Sequence, residues 1–217
     1  MTRRGPRGSA DAPSTSQARR ARIVEAALEE FVARGFEAAS TNAIATRAGV
    51  AKGLVFHYFG TKDALYLAVF DRANEEFQDA ITTALDPAPP TDLFARLHHF
   101  SAVKMRVISA RPPSYRFLVQ AASTPPKHLA EALHERLRAS GEAGMQTFLD
   151  GLDFSKLRPQ VSPEQAIAVV MLLRDGMERR YLPRLLEMAD DDSQLAAFAK
   201  EALAMFELLR DGLYRRE

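Results

Sequence analysis

The sequence predicts an all-α protein. Apolar residues recur at the three- and four-residue spacing of amphipathic helices, and proline and glycine divide the chain into helix-sized segments. No stretch alternates apolar and polar residues in the manner of a half-buried strand, and the sequence contains no internal repeat. We therefore expect helices throughout, short ones near the N-terminus and longer ones after them.

The N-terminal residues 1–16 have the composition of a disordered basic tail, rich in Arg, Ser, Gly and Pro with no apolar segment. Ser16 is a candidate N-cap for a first helix that runs to about Arg34. A first domain is predicted over residues 17–84 and a second over 85–217. The boundary is placed where Asp86–Pro90 concentrates three prolines.

Residues 40–62 predict two short helices joined by a tight turn. Ser40 or Thr41 can cap the first helix, and Gly49 can adopt the positive φ that ends it. The apolar face of that helix consists of Ile44, Ala45 and Ala48. The second helix covers residues 54–59. Two helices in this arrangement form a helix-turn-helix, whose second helix lies in the major groove of DNA.

A fourth helix is predicted from Lys62 to about Ala84. Thr61 is its candidate N-cap, and Asp63 lies in its first turn, where a negative charge suits the helix dipole. Apolar residues follow at four-residue spacing: Leu65, Val69, Ala73, Phe77 and Ile81. Further breaks at residues 111–113, 124–126, 151–159 and 189–192 divide the remainder into about five helices.

Charge is distributed unevenly along the chain. Residues 1–62 hold ten Lys and Arg against five Asp and Glu, a net charge of +5, whereas residues 63–217 hold 19 against 23, a net charge of −4. The whole-chain value of +1 conceals this difference. The positive charge therefore lies where the helix-turn-helix is predicted, as DNA binding requires.

Other classes of protein find little support. The chain has no cysteine, so it has neither disulfides nor thiolate metal sites, and its longest apolar run, Ala166–Leu173, is too short to cross a membrane. Glu131 and His134 form a single Glu-x-x-His pair, which is insufficient for a di-iron site. We predict no metal, no cofactor, no catalytic residue, no membrane association and a cytoplasmic location.

Specific residues of the helix-turn-helix resemble the TetR (tetracycline-repressor) family of bacterial regulators. The resemblance extends over roughly residues 18–80. It rests on Ile23, Ala27, Phe31, Gly35, Phe36, Thr41, Ile44, Ala45, Ala48, Gly49, Val50, Gly53, Phe56, Tyr58, Phe59, Lys62 and Leu65. It implies a three-helix DNA-binding domain followed by a helical domain for ligand binding and dimerisation.

The DNA-binding residues are predicted on the same basis. Thr41, His57, Tyr58 and Lys62 match family positions that bind phosphate. Base contacts are expected from Asn42, Lys52, Leu54 and Phe56. Gly53 lets the start of the helix approach the DNA backbone. Ala51 departs from the usual Ser or Thr and weakens the helix cap by about 1 kcal/mol.

The spacing of Phe56 and Phe59 predicts, independently of the resemblance, that both anchor the second helix in the core. Lys52, Leu54, His57 and Tyr58 would then face outwards.

Two further surfaces are expected in the second domain. The resemblance implies a homodimer through the last two helices, which carry broad apolar stripes. It also implies a pocket for a small-molecule effector, with the candidate residues Phe100, Met105, Phe117, Phe148, Met171 and Arg174. Arg174 either holds an acidic ligand or pairs with Glu178 at i+4.

These observations predict a dimeric, ligand-responsive transcriptional regulator, most simply a repressor, that binds double-stranded DNA at a palindromic operator and is not an enzyme. Two alternatives are a helical-bundle enzyme or carrier, and a helix-turn-helix regulator without a small-molecule ligand.

Overall fold

The computed structural model describes residues 15–110, 113–188 and 192–215. Over these residues it contains nine α-helices, one 3-10 helix and no strand, which confirms the all-α prediction. The helices are α1 (Thr15–Ala38), α2 (Thr41–Ala48), α3 (Lys52–Phe59), α4 (Lys62–Ala84), α5 (Leu93–Ser109), α6 (Pro113–Ser123), the 3-10 helix Lys127–Leu129, α7 (Ala130–Leu149), α8 (Pro163–Met188) and α9 (Asp192–Leu213).

The predicted tail lies almost wholly outside the described residues, which begin at Thr15, the first residue of α1. The predicted end of the first helix near Arg34 coincides with an interruption at Gly35, whose φ of 69° and ψ of 175° are not helical. A positive φ of this kind favours glycine, because a side chain there would be strained. The backbone therefore turns at Gly35 before the last residues of α1.

A first hydrophobic core joins α1–α4 to the second half of the chain. It contains fully buried Phe31, Ile44, Leu65 and Phe70 from α1, α2 and α4. It also contains Phe117 from α6. Since α6 packs on both α1 and α4, the helices that carry the helix-turn-helix share their interior with the helices beyond the predicted domain boundary.

A second core is formed by α5, α7, α8 and α9, and includes Leu93, Phe94, Phe148, Val170 and Phe206. A smaller third cluster, Ile108, Tyr115 and Val119, lies between the two and contacts Phe77 of α4 and Phe198 of α9.

A buried arginine fixes the proline-rich connection between α4 and α5. Arg96 is 3% exposed, and its guanidinium donates to the carbonyls of Phe148 and Asp150 at 3.0 Å each and to that of Pro90. These carbonyls satisfy a cation that would otherwise be costly to bury. Arg96 thereby ties the connection to the end of α7.

Within the described parts of the chain, no helix is long and apolar enough to cross a membrane. The same residues contain no group of three or more His, Cys, Asp or Glu side chains that could hold a metal ion.

Candidate DNA interface

The start of α2 is fixed by a buried carboxylate. Ser40 is the N-cap, and its side chain accepts a hydrogen bond from the backbone N–H of Ala43 at 3.4 Å. The Ser40 backbone N–H donates to Glu30 Oε1 at 3.1 Å, and Arg34 Nε lies 3.3 Å from the same oxygen. Glu30 is only 2% exposed. The hydrogen bond between Glu30 and Ser40 holds the start of α2 against α1, and no pattern in the sequence indicated it.

The turn between α2 and α3 follows the prediction. Gly49 has φ 63° and ψ 41°, and its N–H donates to the carbonyl of Thr46 at 3.2 Å. The N–H of Val50 donates to the carbonyl of Ala45 at 3.0 Å, so the end of α2 is closed by backbone bonds. At Ala51, the start of α3, there is no side-chain cap, as expected for alanine.

The orientation of α3 differs from the prediction. Val55 and Phe59 are 2% and 9% exposed and anchor the helix, whereas Phe56 is 40% exposed. The expectation that Phe56 packs in the core was therefore wrong. Val55 and Phe59 lie one turn apart on the same side of the helix, and that side is the one facing the core. Phe56 points away from it, with Lys52 Nζ 6.0 Å from its ring centroid.

The predicted DNA-binding residues lie on α2, on α3 and at the first residue of α4. Asn42, Lys52, Gly53, Phe56 and His57 are exposed, and Thr41, Leu54, Tyr58 and Lys62 are half-buried. A Cβ added at Gly53 would meet nothing within 4 Å. The interior therefore gives no steric reason for glycine at this position, and its predicted role beside the DNA backbone stays a prediction.

The first turns of α1 lie beside the end of α3. The hydroxyls of Ser16 and Tyr58 are 3.1 Å apart, and the Arg20 guanidinium lies 5.1 Å from the Phe59 ring centroid. Arg19 and Arg22 are exposed on the same turns. The sequence gives the number of these charges but not their place, because only the tertiary fold brings the first turns of α1 next to α3.

Lys62 has an internal role that the sequence did not indicate. Its ammonium donates to the Glu37 carbonyl at 3.1 Å and lies 4.8 Å from the centroid of the Phe36 ring. Both partners follow Gly35 at the end of α1. Thr61 caps α4 as predicted, since its hydroxyl accepts from the N–H of Ala64 at 3.0 Å. Lys62 therefore joins the start of α4 to the end of α1, and its phosphate contact stays a prediction.

The six candidate effector residues do not gather at one place. Phe100, Phe148 and Met171 belong to the second core, where the rings of Phe100 and Phe148 meet edge to face at 5.4 Å. Met105 lies in the third cluster, and Phe117 lies in the first core.

The last candidate, Arg174, donates from Nη2 to the neighbouring Asp175 carboxylate at 2.9 Å. The side chain of Glu178, its predicted alternative partner, lies outside the described part of the chain.

Comparisons with known proteins agree with this geometry. The family model described as bacterial regulatory proteins, tetR family, matches residues 23–69. The regulatory protein RaaS of Mycobacterium tuberculosis is 28% identical over 194 residues, which are 89% of this chain and 85% of RaaS. The transcriptional activator FasR of Mycolicibacterium smegmatis is 42% identical over 67 residues, but this covers only 31% of each chain.

Solved structures show the same fold. A TetR-like regulator from Rhodococcus sp. RHA1 has a TM-score of 0.62 at 19% identity, covering 90% of this chain and 97% of its own. A TetR regulator from Chloroflexus aurantiacus has a TM-score of 0.62 at 22% identity, covering 94% and 100%. Together with the matching family model and relatives, they lead to one conclusion: residues 23–69 match the tetR family of bacterial regulatory proteins, the described chain has the fold of TetR-like regulators, and the relatives it resembles are transcriptional regulators rather than enzymes.

Proposed function

We propose that this regulator binds a palindromic operator as a homodimer and is released from it by a small-molecule effector. One observation carries the proposal. Among the described residues, four large apolar side chains are exposed: Phe56, Val169, Leu172 and Leu208. Phe56 lies on α3, and the others lie on α8 and α9. Exposed apolar groups of this size mark surfaces that meet a partner.

The surface around Phe56 supports DNA binding. It combines an apolar ring with Lys52, His57 and Asn42, all exposed. An aromatic ring can contact thymine methyl groups, and an asparagine can pair with adenine. The base-reading residues are Asn42, Lys52, Leu54 and Phe56, and the phosphate-binding residues are Thr41, His57, Tyr58 and Lys62.

The surface on α8 and α9 supports a homodimer. Leu172 and Leu208 are 68% and 75% exposed, values unusual for leucine in an isolated chain. The two helices pack against each other, so their exposed apolar groups can form one continuous face. Two copies related by a twofold axis would place two recognition helices on a palindrome, with half-sites about 34–36 Å apart.

An effector site within the second core is supported by Phe100, Phe148 and Met171, which lie on three different helices.

Repression is proposed because it needs only occupation of the operator, which the α3 surface and the dimer supply. Activation would need a further contact with polymerase. Such a regulator would act in the cytoplasm, where bacterial DNA lies. The alternative, a regulator without a small-molecule ligand, would bind its operator unchanged by any effector.

Selection of bound duplexes from a random pool tests the proposal. We expect a palindromic consensus for the wild-type chain. Phe56→Ala should lose most of the enrichment while keeping its helical circular dichroism, because the ring is exposed. Ala80→Ser, an exposed position on α4, is the control. A folded wild-type chain that enriches no sequence would contradict the proposal.

A further inference from the structure

An open groove lies where the helix-turn-helix meets the second half of the chain. One wall is the end of α1, residues 34–38, and the other is the connection from α6 to the 3-10 helix, residues 124–128. Its volume is about 470 Å³. This lies within the range of small-molecule sites, about 300–1,000 Å³. None of the residues predicted to bind an effector lines it.

The groove is basic with apolar walls. Arg34 and Lys127 supply two cations against the single carboxylate of Glu37. Arg34 pairs with Glu30 yet remains 61% exposed, and Lys127 is exposed without an ion pair in the described part of the chain. The apolar walls come from Phe36, Pro125 and Pro126.

Two other polar side chains beside the groove, His128 and Lys62, make contacts of their own. His128 Nε2 lies 3.3 Å from Asp63 Oδ1, and the His128 ring meets Phe36 edge to face at 5.4 Å. Lys62 donates to the backbone carbonyl of Glu37. These contacts leave Arg34 and Lys127 as the cations available to a ligand.

We propose that this groove binds a small organic anion, a carboxylate on a flat apolar body. The carboxylate would lie between Arg34 and Lys127, where charge-assisted hydrogen bonds are available. The apolar body would cover Phe36 and Pro125, as in sites that combine apolar walls with a few polar groups.

Occupation of the groove would reach the DNA-binding surface through Arg34. This arginine neutralises Glu30, whose carboxylate accepts the Ser40 N–H at the start of α2. A ligand carboxylate competes with Glu30 for the guanidinium and so loosens the position of α2 on α1. This coupling rests on the proposed function, whereas binding in the groove does not.

Calorimetric titration of the full chain with 2-naphthoate, without DNA, tests the site. The neutral 2-naphthylmethanol is the ligand control. We expect Lys127→Gln and Arg34→Gln each to weaken 2-naphthoate binding about tenfold, the effect of one charge-assisted hydrogen bond. Arg72→Gln is the matched protein control, since Arg72 also pairs with a glutamate one turn away on an exposed helix face.

Thermal unfolding of each variant establishes that it is folded. Arg34→Gln also removes the partner of Glu30 and can disturb the fold. Lys127→Gln does not affect Glu30, so it tests the site by itself. The proposal is overturned if 2-naphthoate does not bind saturably, if both variants bind it like the wild type, or if the neutral alcohol binds equally well. A second titration, of 2-naphthoate into the complex of the protein with operator DNA, should show weaker 2-naphthoate binding. The factor should equal the one by which 2-naphthoate weakens DNA binding. If 2-naphthoate binds the free protein and the operator complex equally well, the coupling to DNA is overturned, but the binding site in the groove is not.

Discussion

At the scale of single residues, the buried carboxylate of Glu30 holds the start of α2, which carries two of the predicted DNA contacts. Glu30→Ala should remove the acceptor of the Ser40 N–H and destabilise the fold by about 1–3 kcal/mol. Denaturant unfolding measures this. Glu29→Ala is the matched control, because Glu29 is 53% exposed and pairs with Arg47 on the surface. A loss of stability in Glu29→Ala as large as in Glu30→Ala would contradict the assignment.

Lys62 has two candidate roles, and one substitution separates them. Lys62→Met removes the charge but keeps a flexible chain to pack on Phe36. If Lys62 binds phosphate, this variant should weaken binding to all sequences alike and lower the log–log salt slope by about one unit. Lys104→Met, exposed on α5, should leave the slope unchanged. If folded Lys62→Met has an unaltered salt slope, Lys62 does not bind phosphate, and its role is to join α4 to α1.

Asn42 is exposed in the first turn of α2, where a side chain can reach a base edge. If it pairs with adenine, Asn42→Ala should relax preference at one symmetric operator position by about 1–3 kcal/mol. Competition binding against operators altered at single positions measures this. An equal loss across all sequences would instead make Asn42 a phosphate contact.

At the scale of elements, the helix bounds of the first domain followed from local signals. Thr61 and the prolines after Leu85 predicted α4, and the structure places it at Lys62–Ala84. The five helices predicted after it are α5–α9. Two of the predicted breaks, at 111–113 and 189–192, fall largely outside the described residues.

What could not be predicted depends on packing between distant segments. Val55 rather than Phe56 anchors α3 because of where that helix lies on the core. Phe117 belongs to the first core because α6 returns to α1 and α4, with the Phe117 and Tyr66 ring centroids 5.0 Å apart. Arg96 can be buried because carbonyls from the α4–α5 connection and from the end of α7 converge on it. No local sequence pattern specifies such contacts between distant segments.

A polar contact joins Asp92, the N-cap of α5, to Tyr214, the residue after α9. Asp92 accepts hydrogen bonds from the Tyr214 hydroxyl and the Lys156 ammonium, each at 3.1 Å. Burial raises the pKa of Asp92, but hydrogen bonds from the Ala95 N–H, Lys156 and Tyr214 outweigh it, and the net shift is downward. A lowered pKa in the folded state adds stability above the unfolded pKa, which is lost as pH falls through the folded value.

We therefore expect Asp92→Asn to lower the melting temperature most at neutral pH. The difference from wild type should narrow as pH falls through the pKa of Asp92. Asparagine can still cap α5, so the variant isolates the charge. Asp79→Asn, exposed on α4, should show no such trend. A pH-independent difference for Asp92→Asn would mean that its charge contributes nothing.

At the scale of the whole molecule, the DNA-binding surface and the exposed leucines occupy different helices of one chain. In the proposed complex the α3 surface of a single chain would contact only one half-site, and a palindrome needs two in fixed separation. The first core and the third cluster connect α4 to α6 and α9, so in a dimer paired through α8 and α9 the distance between the two α3 helices would depend on that pairing. In the proposed regulator, dimerisation would therefore set the operator geometry.

Leu172→Glu should break the proposed homodimer. The leucine is 68% exposed in one chain, so a glutamate there costs the monomer little but would bury an unpaired charge between two chains. Analytical ultracentrifugation should show a dimer for the wild type and a monomer for the variant. Binding to a full palindrome should fall steeply, while the weak binding to a single half-site is kept. Ala80→Glu adds the same charge on exposed α4 and should remain dimeric. A dimeric Leu172→Glu chain with unchanged operator affinity would place the interface elsewhere.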